Sequence, residues 1–105
     1  MSDPESFEIS VVDVGDVHVV RLTGDLDLAS ADLLTERLVG IAGSTVVVDL
    51  SGLSFMDSSG ISALIKAKIQ MEHHGESLLI SQPPPNILRV LEITGPADWV
   101  SDWSL

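Results

Sequence analysis

The chain of 105 residues contains no cysteine and few cations. Without cysteine, thiolate catalysis, thiolate metal sites and disulfide bridges are excluded, and the composition suits a reducing compartment. Five Lys and Arg residues stand against sixteen Asp and Glu, which gives a formal net charge of -11. Such a surface repels phosphate backbones and anionic lipids, so we predict a cytoplasmic protein that binds neither nucleic acid nor membrane.

Long hydrophobic runs are also missing. No apolar stretch reaches the roughly 20 residues that a membrane-spanning helix needs, because charges interrupt each one. The first six residues are acidic and polar, unlike the basic start of a secretory signal. With 45% hydrophobic residues, the length predicts one domain over residues 1–105, in which 1–6 are flexible.

The beginning of the chain has the pattern of a β-hairpin. Phe7, Ile9 and Val11 alternate with polar residues, and a turn over 13–16 leads to a second extended run, Val17–Leu22.

Helical periodicity follows the hairpin. Leu34, Leu38 and Ile41 fall on one side of a helix that either Asp27 or Ser30 could cap. A strand over Thr45–Leu50 comes next, and its apolar middle is typical of the centre of a sheet covered on both faces. A second helix is expected to end near residues 73–75, with a core-facing pattern of Ile61, Leu64, Ile65 and Ile69.

The last third of the chain continues this alternation. A strand over Ser77–Ile80 is followed by a proline run at 83–85, which leads into a short helix. We expect Ile87, Leu88, Leu91 and Ile93 to be its buried residues. Residues 97–105 form a terminal element with Trp99 and Trp103, and the pattern leaves open whether it is a strand edge or a helical turn. The order ββαβαβα predicts an α/β domain with a mixed sheet of four to five strands packed with helices.

The segment Leu53–Ile65 carries the most informative motif. It places Asp57, Ser58 and Ser59 at a helix N-terminus, where either Asp57 or Ser58 can cap the helix. A phosphoryl group on Ser58 would meet free backbone N–H groups and the positive end of the helix dipole there. The motif therefore allows a cap, a phosphate acceptor, or both.

Catalytic readings of these serines are weaker. A serine hydrolase needs a histidine base, but His73 and His74 lie about 22 Å along the same helix from Ser58, and His18 belongs to an early strand. The nucleophile-elbow, nucleotide-binding and calcium-loop patterns are absent. A phospho-aspartate at Asp49 or Asp57 would also need an acidic pair and a positioned lysine near a parallel sheet edge, which makes this the weaker reading. We predict no enzyme activity, no cofactor and no metal.

The residues from Leu53 to Gly60, after the strand ending Val48-Asp49-Leu50, closely resemble the signature of bacterial anti-sigma factor antagonists, small single-domain members of the STAS family. Arg21–Asp27 is similar to the family's strand-to-helix segment, and Gly75–Ile80 to its later strand. The resemblance extends roughly from Ile9 to Gly95.

This resemblance implies a partner switch. The unphosphorylated antagonist would bind an anti-sigma factor, often itself a serine kinase, and so release a sigma factor. The kinase would phosphorylate Ser58, with Ser59 as the second choice, and a phosphatase would reverse the mark. The partner surface is expected to comprise Asp25, Asp27, Asp57, Ser58, Ser59 and Gly60, on a monomer or weak dimer. The competing hypothesis is a non-catalytic STAS scaffold, or a subunit of a larger complex, without a phospho-switch.

Overall fold

A computed structural model describes residues 7–41, 45–94 and 100–101 of the chain. The predictions for residues 1–6 and for Trp99 and Trp103 lie outside these ranges. The described elements are β1 Phe7–Val14, β2 Val17–Leu26, α1 Leu28–Val39, β3 Thr45–Met56, α2 Ser58–His73, β4 Ser77–Ser81, α3 Pro85–Thr94 and β5 Val100–Ser101.

One mixed sheet contains all the described strands, in the order β1-β2-β3-β4-β5. β1 and β2 are antiparallel, and the other neighbours are parallel. The hairpin turns through Gly15 and Asp16, and Gly15 has φ +64, a value that suits the first residue of a two-residue loop. The predicted hairpin, element order and mixed sheet are confirmed, and the two residues of β5 supply the fifth strand.

The core forms where α1, α2 and α3 meet the sheet. Val46, Val47 and Val48 in the central strand β3 are all 0% exposed, as their uninterrupted apolar run predicts. Alternate strand residues then form one cluster with the helices, because successive strand side chains point to opposite faces. This cluster includes Val20, Leu22, Val48, Leu50, Leu78 and Ile80 from strands, and Leu34, Leu38, Leu64, Ile87 and Leu91 from helices.

Two predicted core residues lie outside that cluster. Ile69 is 62% exposed and Ile93 is 77% exposed, so the expectation that they are buried is wrong. In the second half of α2 the inward positions belong to Ala67 and Lys68 instead. Lys68 is accommodated there because its Nζ lies 2.8 Å from Glu72 Oε2, one helical turn further on.

β3 is also longer than the sequence predicts, because it continues through Gly52 to Met56 instead of ending at Leu50. The pairing of β3 with β2 shifts register between Arg21 and Thr23. A Cβ atom on Gly52 would lie 2.8 Å from the carbonyl oxygen of Leu22. The glycine thus allows a close approach of two strands rather than ending one of them.

An ion pair joins β2 and β3 next to this shift. Asp49 is 2% exposed, its Oδ2 accepts a hydrogen bond from Arg21 Nε at 3.0 Å, and its Oδ1 accepts one from the Ser51 N–H at 2.9 Å. Burial raises the pKa of Asp49, but the hydrogen bonds from Ser51 and Arg21 and the charge of Arg21 outweigh it and hold the pKa below its usual value.

We therefore expect Asp49 to stabilise the fold above its unfolded pKa of about 3.9, and this contribution to be lost as the pH falls through the lower folded value. Asp49→Asn should lower the free energy of unfolding at pH 7 by about 1–3 kcal/mol. The difference from the parent should narrow below about pH 4. Urea unfolding across pH measures both effects.

Asp16→Asn is the matched control, because Asp16 is an exposed loop residue. It should change the free energy of unfolding by less than about 0.5 kcal/mol. If the difference in unfolding free energy between Asp49→Asn and the parent stayed constant down to about pH 2, ionisation of Asp49 would not be coupled to stability as proposed.

Candidate functional site

The parallel neighbours β2 and β3 end at the same level, at their carboxyl ends. Leu26, the last residue of β2, is paired in register with Met56, the last residue of β3. Each strand is followed by an aspartate that caps a helix, Asp27 before α1 and Asp57 before α2. The shared register therefore places two helix N-termini side by side.

The start of α1 is held by a capping box. Asp27 Oδ1 accepts hydrogen bonds from the N–H groups of Ala29 at 3.0 Å and Ser30 at 3.2 Å. In return the Asp27 N–H donates to Ser30 Oγ at 2.9 Å. Ser30 is 3% exposed, and its hydroxyl donates to the Asp25 carbonyl at 2.8 Å. Asp27 and Ser30, which the sequence offered as alternative caps, therefore act together, and their hydrogen bonds connect the end of β2 to the start of α1.

The sequence allowed either Asp57 or Ser58 as the cap of α2, and in the structure Asp57 is the cap. Its Oδ1 accepts hydrogen bonds from the N–H groups of Ser59 at 2.9 Å and Gly60 at 3.2 Å. The Asp57 cap therefore already occupies two of the N–H groups at the start of α2, and a phosphoryl group on Ser58 that meets free N–H groups there stays a prediction. Ser58 is the first helical residue, and its side chain is exposed and not used for capping.

Leu26 connects this second helix to the end of β2. The Asp57 N–H donates to the Leu26 carbonyl at 3.2 Å, and Gly60 is buried against the same residue. A Cβ atom on Gly60 would lie 2.7 Å from Leu26 Cγ and 2.9 Å from its carbonyl oxygen. Gly60 therefore belongs to the packing beneath the site, and a direct role for it in partner binding stays a prediction.

A groove of about 630 Å³ runs between the first halves of α1 and α2. Ser58 lies on its wall, and Leu28, which is 74% exposed, lines the side formed by α1. The other lining residues are Ala31, Asp32, Thr35, Ser59, Ser62, Ala63 and Lys66. Most of these side chains are small, so a side chain of a partner has room to enter.

An apolar groove of about 350 Å³ adjoins the first one. Ser58, Ser62 and Lys66 line both, and Ile61 and Ile65 complete the second. A protein that covers either groove would therefore lie against the Ser58 hydroxyl.

Charge distinguishes the larger groove from the rest of the protein. Its lining contains one carboxylate, Asp32, and one ammonium group, Lys66, whereas the chain has a formal net charge of -11. The sequence motif did not single out Leu28 or Lys66, because their proximity to Ser58 depends on the pairing of distant strands and on helix packing. The one local signal for Leu28 was its position, because it is an apolar residue directly after the capping residue Asp27.

The histidines lie far from Ser58. His73 and His74 are at the opposite end of α2, about 22 Å away at 1.5 Å per residue. His18 pairs in register with Val46, about 30 Å along β3 from Met56. Its Nδ1 lies 2.6 Å from Asp13 Oδ1. These positions do not form a serine–histidine pair.

Over 7–41, 45–94 and 100–101, no group of three or more His, Cys, Asp or Glu side chains is arranged to hold a metal ion. Within the same ranges, no helix is long and apolar enough to cross a membrane.

Comparisons with known proteins agree with this arrangement. The family model of the STAS domain matches residues 8–103. The anti-sigma-B factor antagonist of Bacillus subtilis is 31% identical over 81 residues, which cover 75% of this chain and 74% of that protein. The structure of unphosphorylated SpoIIAA, an anti-sigma factor antagonist, superposes with a TM-score of 0.79 at 24% identity and covers 92% of this chain and 89% of its own. Phosphorylated SpoIIAA, a Bacillus cell fate determinant, gives 0.76 at 24% identity, with 92% of each chain covered.

Proposed function

The chain belongs to the STAS domain family, in the group of anti-sigma factor antagonists, and we propose that it binds an anti-sigma factor and thereby frees a sigma factor. The partner surface consists of the Ser58 region and the two grooves beside it. Asp25, Asp27 and Asp57 hold the ends of the strands and the starts of the helices under this surface. In this role the protein is a binding module of the cytoplasm and not an enzyme.

We further propose that phosphorylation of Ser58 switches this binding off. The observation that carries the proposal is the exposed Ser58 hydroxyl at the first position of α2, on the wall of both grooves. The anti-sigma factor is a serine kinase that modifies it, and a phosphatase restores the hydroxyl. The phosphorylated form of the structural neighbour SpoIIAA is consistent with such a switch.

Electrostatics explain how the mark would act. A phosphate adds about -1.5 to -2 charge units at neutral pH, directly beside the Asp57 carboxylate. The helix dipole partly offsets this repulsion, so the fold tolerates the group. A partner surface shaped for a neutral hydroxyl would instead have to bury a dianion without a matching cation, which is unfavourable.

Incubation with ATP and the cognate anti-sigma kinase tests the site. We expect one phosphate per chain, mapped to Ser58 by mass spectrometry, and we expect Ser58→Ala to remain unlabelled. Ser59→Ala is the matched control, since its hydroxyl is adjacent while Asp57 still caps the helix through the backbone. Label on Ser58→Ala equal to that on the parent would show that another residue is the acceptor.

The alternative of a scaffold subunit makes a different prediction. A STAS scaffold would sit in a stable large assembly in extracts of the native host, and phosphorylation would leave its size unchanged. Size-exclusion chromatography of such an extract, before and after phosphatase treatment, separates the two functions. A partner switch predicts that phosphatase treatment moves the chain into a complex with the anti-sigma factor.

A further inference from the structure

The outer edge of the sheet at β1 is open in the described part of the chain. β1 pairs with β2 alone and stands at one end of the strand order. It is eight residues long, and it contains neither the proline nor the lysine with which proteins commonly block an exposed edge. Such an edge can accept a further strand.

The hairpin determines which backbone groups face outward. In a two-residue hairpin the pair that closes the loop, here Val14 and Val17, exchanges hydrogen bonds, and hydrogen-bonded and non-hydrogen-bonded pairs then alternate along the strands. Phe7, Ile9 and Val11 therefore occupy non-hydrogen-bonded pairs. Their N–H and C=O groups point toward the open edge.

A groove of about 390 Å³ lies next to this edge, between β1 and α1. Phe7, Ile9, Leu33, Glu36 and Arg37 line it, and Leu33 is 49% exposed. Phe7 and Ile9 thus supply outward backbone groups and apolar side chains at the same place. An unpaired strand beside a side-chain pocket is the arrangement that binds extended peptides by strand addition.

We propose that this edge binds an extended, basic segment of another protein as an additional strand. Every second residue of the segment is apolar, and one such side chain enters the groove between β1 and α1. Charge selects the basic partner, because β1 carries Glu8 and Asp13 and no cation, on a chain with a net charge of -11. The groove itself adds one carboxylate, Glu36, and one cation, Arg37, so the site as a whole stays acidic. The same charge opposes pairing between two copies of the chain. The site is independent of Ser58 and of the proposed switch.

Fluorescence anisotropy with a labelled eight-residue peptide of alternating lysine and valine, blocked at both ends, tests the proposal in physiological salt. We expect saturable binding to the full chain. A peptide with four lysines followed by four valines has the same charge without the alternation, and it should bind at least about tenfold more weakly. Equal binding of the two peptides would mean charge attraction alone and would overturn the proposal, as would no binding of either.

Two variants locate the site. Val11→Pro removes an outward N–H and leaves the ladder bonds to β2 in place, and Leu33→Gln removes an apolar side chain from the groove. Each should weaken binding of the alternating peptide by about tenfold. Ile93→Gln makes the same kind of change at a 77% exposed helical position on α3 and should bind like the parent. If Leu33→Gln and Ile93→Gln lose the same affinity, the groove is not the site.

Light scattering distinguishes a second copy as the occupant. We expect the parent and Val11→Pro chains to have the same mass at equal concentration. A parent dimer that Val11→Pro dissociates would overturn the proposal, because the edge would then be filled by the chain itself.

Discussion

Ser58→Asp is expected to bind the cognate anti-sigma factor about 100-fold more weakly than the parent chain, since a carboxylate buried against a surface shaped for a neutral hydroxyl loses its hydration without gaining a cation. The substituted carboxylate would stand beside Asp57 on the wall of both grooves. Isothermal titration calorimetry with the purified anti-sigma factor measures the loss. Ser58→Ala, which keeps a neutral side chain, should bind with the affinity of the parent.

Ser58→Asp should leave the fold unchanged. An acidic side chain in the first turn of a helix interacts favourably with the helix dipole, by about 0.3–1 kcal/mol, which offsets repulsion from Asp57. The melting temperature of Ser58→Asp should therefore stay close to that of the parent. A large fall would indicate that weak binding reflects unfolding.

Ser77→Asp is the matched control for the added charge. Ser77 is exposed and pairs with Thr45, at the end of β3 opposite the two helix starts. It should bind the anti-sigma factor like the parent. Equal affinities for the parent, Ser58→Ala and Ser58→Asp would rule out Ser58 as the switch.

Gly60→Ala is expected to lower the free energy of unfolding by about 2 kcal/mol. Alanine favours a helix over glycine by about 1 kcal/mol, so propensity alone predicts the opposite sign. The added methyl group would lie 2.7 Å from Leu26 Cγ and 2.9 Å from the Leu26 carbonyl oxygen. Leu26 is 0% exposed, and its carbonyl oxygen is fixed in the backbone, where it accepts a hydrogen bond from the Asp57 N–H, so the contact is costly to relieve.

Thermal unfolding followed by circular dichroism measures this loss, and for a chain of this size it corresponds to a fall of roughly 10 °C. Gly40→Ala is the control, since its Cβ would meet the nearest atoms at 3.6 Å, an ordinary contact. It should shift the midpoint by only a few degrees, in either direction. Equal falls for both substitutions would show that contact with Leu26 does not decide the outcome, and a rise for Gly60→Ala would show that helix propensity outweighs that contact.

Local patterns predicted most of the fold. The alternation in β1, the apolar run in β3 and the caps at Asp27 and Asp57 each depend on neighbouring residues, so the sequence contains the signal directly. The resemblance to STAS antagonists also selected the helix start that carries Ser58, although its role stays a prediction.

The errors arose where distant segments decide the structure. The sequence predicted that β3 ends at Leu50, because the contact that lets the strand continue, between Gly52 and the Leu22 carbonyl, involves another strand. Ile69 and Ile93 extend the apolar patterns of α2 and α3 beyond the part of each helix that contacts the core, so both were predicted to be buried and both are exposed. The groove around Leu28 and Lys66 exists only after two strands are paired in register. Single-sequence periodicity does not contain that pairing.

The joint ending of β2 and β3 makes the site sensitive to chain length. Removing one residue between Leu53 and Asp57 would draw the start of α2 back by about 3.3 Å relative to α1 and turn the remaining strand residues to the opposite face. Lengthening the loop at Gly15 and Asp16 would leave both helix starts where they are. We therefore expect insertions and deletions to be accepted at the hairpin tip and rejected immediately before the two capping aspartates.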